Sequence, residues 1–264
     1  MGLFGAKLGN EGEDLSPLMT RRRFYAPPED FVHQTNTVVL GEEEARHLRD
    51  VLRLRVGDEV FVFDGAGREF RGLVKESGKR GATLEILAEV APAQPESPLD
   101  LTLAVALLKG EKFDLVVQKA TELGVTRIVP MQTARADVRL RDARDAAQRG
   151  VRWRRIALAA AKQAGRAVVP QIAECAVFAS FVEEADGAAR FIFSERGGAA
   201  FPANVAVAST VALVGPEGGW TDEELNLAQN AGWQSVTLGG RILRAETAAL
   251  VAAVLLQHTF GDLR

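Results

Sequence analysis

Two glycine-rich stretches hold the residue types best suited to chemistry: LVGPEGGWTDEEL, residues 213–225, and LGGRILRAETAAL, residues 238–250. Each has an apolar run, then glycines, then a helix start. Such units bring their loops to one edge of a sheet, where exposed backbone donors and acceptors can hold a small ligand. In the first, Gly215, Gly218 and Gly219 allow close approach, Pro216 stiffens the turn, and Thr221 with Glu224 forms a capping box for the next helix. In the second, Ile242 and Leu243 are apolar where a loop is ordinarily polar, and Arg241 and Arg244 flank them. An apolar loop pair suits a pocket floor on which a flat ring lies, with Arg244 and Glu246 facing a polar part of the substrate. The plainer reading is a pair of tight turns, with Ile242 and Leu243 in the core and both arginines solvated.

Those loops need a sheet behind them. LTLAVALL is a continuous apolar run suited to a strand buried on both faces, and EKFDLVVQKATEL places Phe113, Val116, Val117, Ala120 and Leu123 on one face of a helix that Gly124 closes. VTRIVPM then reads as a second strand, so a parallel βαβ unit is expected. Residues 142–164 read as a long helix, RFIFSE, TVALVG and QSVTLG as further strands, and AETAALVAAVLLQH as a closing apolar helix. Upstream, residues 22–90 carry short alternating strands, one helix over EEEARHLRDVLRL and a hairpin turn at DGAG, residues 64–67. APAQPESP, residues 91–98, has three prolines and little that packs, the composition of a linker. The expectation is a small β-rich domain followed by a larger α/β domain.

A chain of 264 residues with 47% hydrophobic content supports a real core, and a net charge of -3 argues against a binder that works by overall charge. Charge is unevenly spread, however. Residues 135–155 hold eight arginines against three aspartates, with further basic groups at Arg21, Arg22 and Arg23 and at Arg46, Arg49, Arg53 and Arg55. The cluster suggests a nucleic-acid face, although any single arginine is more simply a solvated side chain. One cysteine, Cys175, and three scattered histidines predict neither a disulfide framework nor a metal site. No membrane-length apolar run or signal peptide is present, so a cytoplasmic protein is expected. The phosphate loop GxxxxGK[ST] is absent, as is a complete GxGxxG; GAGREF, residues 65–70, lacks the third glycine and reads as a turn.

GPEGG, LGxRILRxETA, QKATELGV with its following strand, and KQAGR before VVP together resemble the SPOUT methyltransferases. Within that class the motifs are most similar to the RsmE-type enzymes, which methylate N3 of a uridine in 16S ribosomal RNA. RRFY, HLRDVLRLRVGD and FDGAGREF resemble that family's PUA-like RNA-binding domain, so the resemblance spans roughly residues 21–260. It implies an α/β fold, a SPOUT-type parallel sheet with a C-terminal trefoil knot, preceded by a small β-rich PUA-like barrel. The implied layout is a disordered tail over 1–20, the PUA-like domain over 21–92 and the methyltransferase domain over 93–264.

The implied cofactor is S-adenosylmethionine, held by three loops: Ser194 and Glu195; Leu213, Gly215, Pro216, Glu217, Gly218 and Gly219; and Leu238, Gly239, Arg241, Ile242 and Leu243. The implied partners are 16S ribosomal RNA within the 30S subunit and a second copy of the chain. RNA contacts are expected from Arg22, Arg23, His47, Arg53, Arg55, Arg135 and Arg139. Uridine N3 carries a proton, so its removal leaves charge on O2 and O4 that donors must stabilise. Arg244 and Arg166, with Arg135, are candidate donors; Glu217 is the third catalytic candidate, and the proton acceptor stays open between Glu217 and Glu246. His33, His47 and His258 fall outside the loop motifs. The chain departs from the family pattern at Lys162, Ala245 and the Arg135–Ala136 pair, where Glu, Thr and Arg–Ser are expected. A non-catalytic ribosome-assembly factor, or a SPOUT enzyme acting on another RNA, are the alternatives.

Overall fold

The computed structural model describes residues 21–78, 81–201 and 207–263; the expected disordered tail over residues 1–20 lies outside them. The first half builds β1 (Arg23–Tyr25), β2 (Phe31–Val32), β3 (Thr37–Leu40), α1 (Glu42–Arg46), β4 (Glu59–Phe63), β5 (Glu69–Ser77) and β6 (Ala82–Val90). A π-helical turn over His47–Val51 prolongs α1. The strands pair in the order β1-β4-β5-β6-β3-β2, antiparallel except for β1 with β4. No described ladder joins β1 to β2, so hydrogen bonds leave this six-stranded sheet open between them. Their inward side chains, among them Phe24, Leu40, Val60, Val62 and Leu84, close over Leu48 in one apolar core.

The second half follows the βαβ pattern. β7 (Asp100–Ala106), α2 (Lys112–Glu122), β8 (Arg127–Gln132) and α3 (Ala143–Ala164) come first. They are followed by β9 (Gln171–Ile172), β10 (Ala176–Val177), α4 (Phe178–Glu184), β11 (Ala189–Phe193) and β12 (Ser209–Val214). α5 (Asp222–Asn230), β13 (Gln234–Val236) and α6 (Ala245–Phe260) complete the chain. All described pairings in this sheet are parallel, in the order β10-β8-β7-β12-β11-β13, with β9 also on β8. The short elements β9, β10 and α4 give no strong pattern in the sequence.

Strand alternation splits the core into two layers. Leu101, Leu103, Val105, Phe191, Phe193, Ala212 and Val214 pack beneath α2, α3 and α6. Ala104, Ile192, Val211 and Leu213 face the other way, against α4, α5, Trp220 and Trp233. Because every strand runs the same way, the loops after β7, β8, β11, β12 and β13 all emerge at one edge.

The proline-rich connection is not loose, contrary to its composition. Ala91 C=O accepts from Arg21, Ala93 N–H donates to Glu69, and Gln94 N–H donates to Gly165 C=O. Glu96 holds Arg166 and the Val168 N–H, and Ser97 donates to Gln257. The DGAG turn is a hairpin turn as expected, capped by Asp64, and it also fastens the two sheets together: Gly67 N–H donates to Ala167 C=O and Val169 N–H donates to Gly65 C=O. Lys162 spans the same junction, with Nζ 2.6 Å from Glu44.

Candidate active site

Three loops enclose a cavity of about 420 Å³ at the carboxyl edge of the parallel sheet, within the range of small-molecule pockets. The first follows β11, where Ser194 Oγ donates to Arg196 C=O and accepts from its N–H, tightening the turn. The second follows β12. Trp220 plugs into the core and donates from its indole to Phe193 C=O, while the Thr221–Glu224 capping box starts α5. Glu224 also accepts from Ala134 N–H, tying the loop after β8 to the same place. The third loop, residues 237–244, runs into α6 with Arg244 as its N-cap residue.

Glycine is required where the second loop is most crowded. Gly219 has φ +68°, and a Cβ there would meet Glu195 Oε1 at 2.6 Å. A Cβ on Gly218 would meet Arg135 Cβ at 3.1 Å and its carbonyl oxygen at 3.2 Å. The Trp220 carbonyl accepts from both Arg135 and Arg196, at 3.0 and 2.8 Å, so two arginines from two other loops clasp this one.

The predicted cofactor residues gather here with one exception. Ser194, Glu195, Gly215, Pro216, Glu217, Gly218, Gly219, Leu238, Gly239, Arg241, Ile242 and Leu243 all line the cavity, and so does Arg244. Leu213 does not: the two-residue alternation of β12 turns it into the opposite core layer, and its neighbour Val214 takes its place. Sequence reading also missed Phe193, Thr237 and Ala248, which line the cavity from strand ends and the first turns of α6.

Arg166 is misassigned as a catalytic donor. It is 4% exposed and donates to Thr121 C=O, Val125 C=O and Glu96, fastening the connection between the sheets. Arg23 is corrected in the same way: its guanidinium pairs with the fully buried Glu69 carboxylate and donates to the Lys162 and Arg166 carbonyls. His47 stands edge-on to Phe24, half-buried. Arg22, Arg53 and Arg55 are exposed and make no ion pair among the described residues. Arg135 and Arg139 are exposed but occupied, Arg139 by Ala134 C=O. Four arginines of the cluster at and before α3 are spent on neighbours: Arg141 and Arg149 pair with Asp145, Arg152 with Asp114 and Glu111, and Arg155 with Glu43.

Glu217 is tied to a residue the sequence reading passed over. Lys112 Nζ lies 2.8 Å from Glu217 Oε1 and 3.7 Å from Glu246 Oε2. Burial alone would push the Glu217 carboxyl up, but the hydrogen bond and charge of Lys112 outweigh it and hold the group below the usual glutamate range. The same hydrogen bond raises Lys112. A carboxylate held in this way is a weak proton acceptor, so Glu217 does not suit the role of base. The clue to Lys112 was available, since KGEK follows β7 at the same sheet edge. Cys175 is pushed up to about 11 by burial, which leaves an inert thiol. Among the described residues no group of histidine, cysteine or carboxylate side chains could hold a metal ion.

The comparisons with known proteins converge on this architecture. The family described as RNA methyltransferase domain matches residues 95–257, and the RNA methyltransferase PUA domain matches residues 40–87. The ribosomal RNA small subunit methyltransferase E of a Synechocystis species is 37% identical over 237 residues, 87% of this chain and 75% of that one. The Bacillus subtilis protein of the same name is 29% identical over 254 residues, 92% of this chain and 98% of its own. Among solved structures, that enzyme from Neisseria gonorrhoeae bound to S-adenosylmethionine is 36% identical with a TM-score of 0.82, covering 92% of this chain and 100% of that one. A Legionella pneumophila protein, also with S-adenosylmethionine, is 32% identical with a TM-score of 0.82, covering 92% and 99%.

The fold and the three-loop pocket define an RNA methyltransferase that uses S-adenosylmethionine and carries a PUA domain. The chain belongs to the ribosomal RNA small subunit methyltransferase E family. Its own residues fit the cofactor. Leu238, Ile242 and Leu243 offer an apolar bed for a ring, and among the described residues the backbone of 238–243 makes no internal hydrogen bond. Those free N–H and C=O groups match the polar edge of a nucleoside.

Proposed function

We propose that this chain methylates N3 of one uridine in 16S ribosomal RNA, working in the cytoplasm as a homodimer on the small ribosomal subunit. The three-loop pocket carries the reading: an apolar floor from Leu238 and Leu243 with exposed backbone polar groups beside it suits a nucleoside-like ligand. The ribosomal acceptor follows from the family, whose members named above are small-subunit enzymes. The homodimer is carried over from the family resemblance alone.

The topology belongs to the same reading. β13 lies outside β11, yet α6 packs on β7 and β12 in the middle of the sheet. Residues 237–244 therefore return past Ala199, whose carbonyl accepts from Thr237 N–H, and this return path supports the trefoil knot of the proposed fold.

S-adenosylmethionine, when bound, supplies a methyl group already activated by a positive sulfur. The chain aligns the acceptor and manages charge. Arg244, exposed at the head of α6 and lining the pocket, is placed to donate to a uracil oxygen as charge develops there. The loop glycines let the backbone close around the donor without side-chain interference. Exposure of the base from its RNA stack falls to the basic surface around Arg22, Arg53 and Arg55.

The test compares 16S ribosomal RNA from cells with and without the chain by nucleoside mass spectrometry. Loss of one 3-methyluridine is expected; an unchanged pattern contradicts the assignment.

A further inference from the structure

We infer that Glu246 accepts the N3 proton of the uridine, with Lys112 and Arg244 flanking it as donors to the two uracil oxygens. The inference rests on the uridine-N3 reading and names the group that reading leaves open. Glu246 sits in the first turn of α6, between the pocket-lining residues Ala245 and Ala248. Its side chain is 13% exposed, and Oε2 is buried with no hydrogen-bond partner. The nearest cation, Lys112, stands 3.7 Å away, beyond hydrogen-bond reach, because its ammonium is drawn to Glu217 at 2.8 Å. A buried acceptor without a donor is costly, and such costs persist where a ligand supplies the missing group.

The chemistry of uracil matches that vacancy. Its pairing edge runs acceptor, donor, acceptor: O2, the N3 proton, O4. The complement is donor, acceptor, donor, which Lys112, Glu246 and Arg244 provide from α2, α6 and the loop before α6. The cation nearest Glu246 is Lys112, with Glu217 behind it, and Arg244, two residues earlier in the chain, lies within electrostatic reach of Lys112. The two carboxylates divide the work. Glu217 is engaged by Lys112 and orients it, whereas Glu246 keeps an oxygen free. In the transfer step the N3 proton passes to the Glu246 carboxylate, and the pair left on N3 forms the new N–C bond. The pair of the breaking S–C bond returns to sulfur, and the carboxylic acid later gives its proton to water.

The experiment uses the full-length chain and 30S particles reconstituted with either ordinary 16S RNA or RNA containing 5-fluorouridine, whose fluorine makes the N3 proton more acidic. Glu246→Gln is expected to slow single-turnover methyl transfer by about 10²–10⁴-fold, the usual worth of a general base. Calorimetric affinity for S-adenosylmethionine should stay unchanged. The variant's rate should climb steadily with pH where the wild type levels off, and fluorouridine should speed the variant far more than the wild type. Glu246→Asp should fall between the two. A glutamine variant with the wild-type rate, or one slowed equally on both RNAs with the wild-type pH profile, overturns the assignment. If the glutamine variant does not fold, the aspartate variant decides: the same response to fluorouridine as wild type overturns it. The product separates this inference from the reading beneath it. A wild-type product other than 3-methyluridine removes the uridine-N3 reading, while full-rate 3-methyluridine from Glu246→Gln removes only the role of Glu246.

Discussion

Gly218 shows how tightly single residues are constrained at the pocket. A side chain there would press on Arg135, whose guanidinium holds the Gly218 and Trp220 carbonyls. Gly218→Val is therefore expected to weaken S-adenosylmethionine by at least about 100-fold, roughly 2.8 kcal/mol, by calorimetry; near-normal affinity would show that the loop does not grip the cofactor. The Lys112–Glu217 pair gives a pH signature. Glu217 is depressed, so its contribution is present above the ordinary glutamate range and fades as pH falls through its lowered value. Lys112 is raised, so its contribution holds below the ordinary lysine range and fades as pH rises through its raised value. The melting temperature of Glu217→Gln should trail the wild type across the neutral range and rejoin it at both extremes; a constant gap would mean that the pair is not the cause. The glycines, Glu217 and Arg244 could be singled out from sequence because each sits in one of two short glycine-rich motifs. Lys112 was not, since its meeting with Glu217 depends on two parallel strands ending at one edge.

At the scale of elements, the strands and long helices of the α/β sheet were readable from apolar runs and periodicity, as with β7, α2 and α6. What periodicity conceals is where polar side chains go. Arg166 and Arg23 look from sequence like free cations within the KQAGR and RRFY motifs, but the fold drives both into the junction between the sheets, against Glu96 and Glu69. Arg166→Met is expected to cost about 3–5 kcal/mol, as for removal of one member of a buried ion pair, in denaturant unfolding. Cofactor affinity of the folded variant should be normal; full stability with lost methyl transfer would return Arg166 to the active site. The connection over residues 91–98 was misread for the same reason. Its prolines signal a linker, while the hydrogen bonds that pin it come from residues far away in sequence. Likewise the charge of α3 is offset by Asp114, Glu111 and Glu43 from other elements.

For the whole molecule, an overall negative charge coexists with a surface on which Arg22, Arg53 and Arg55, with other arginines, make no ion pair among the described residues. Binding to RNA should still depend on salt, and replacing Arg53 or Arg55 by alanine should each lower the slope of log affinity against log salt by about 1; an unchanged slope would move the RNA surface elsewhere. The two halves are fastened by Lys162 to Glu44, by Arg23 and by the 65–69 contacts, which tie the PUA domain to the domain that carries the three-loop pocket. The alternation of β12, which swaps Leu213 for Val214 at the pocket, and the return of residues 237–244 across the sheet are properties of the assembled fold and leave no mark in the linear motif. The central claim is methyl transfer to uridine N3 in 16S ribosomal RNA. The most direct measurement incubates the purified chain and labelled S-adenosylmethionine with 30S particles lacking the modification, then digests the RNA and identifies the labelled nucleoside. Label in a single 3-methyluridine is predicted; label in a ribose-methylated or other nucleoside, or none at all, would contradict it.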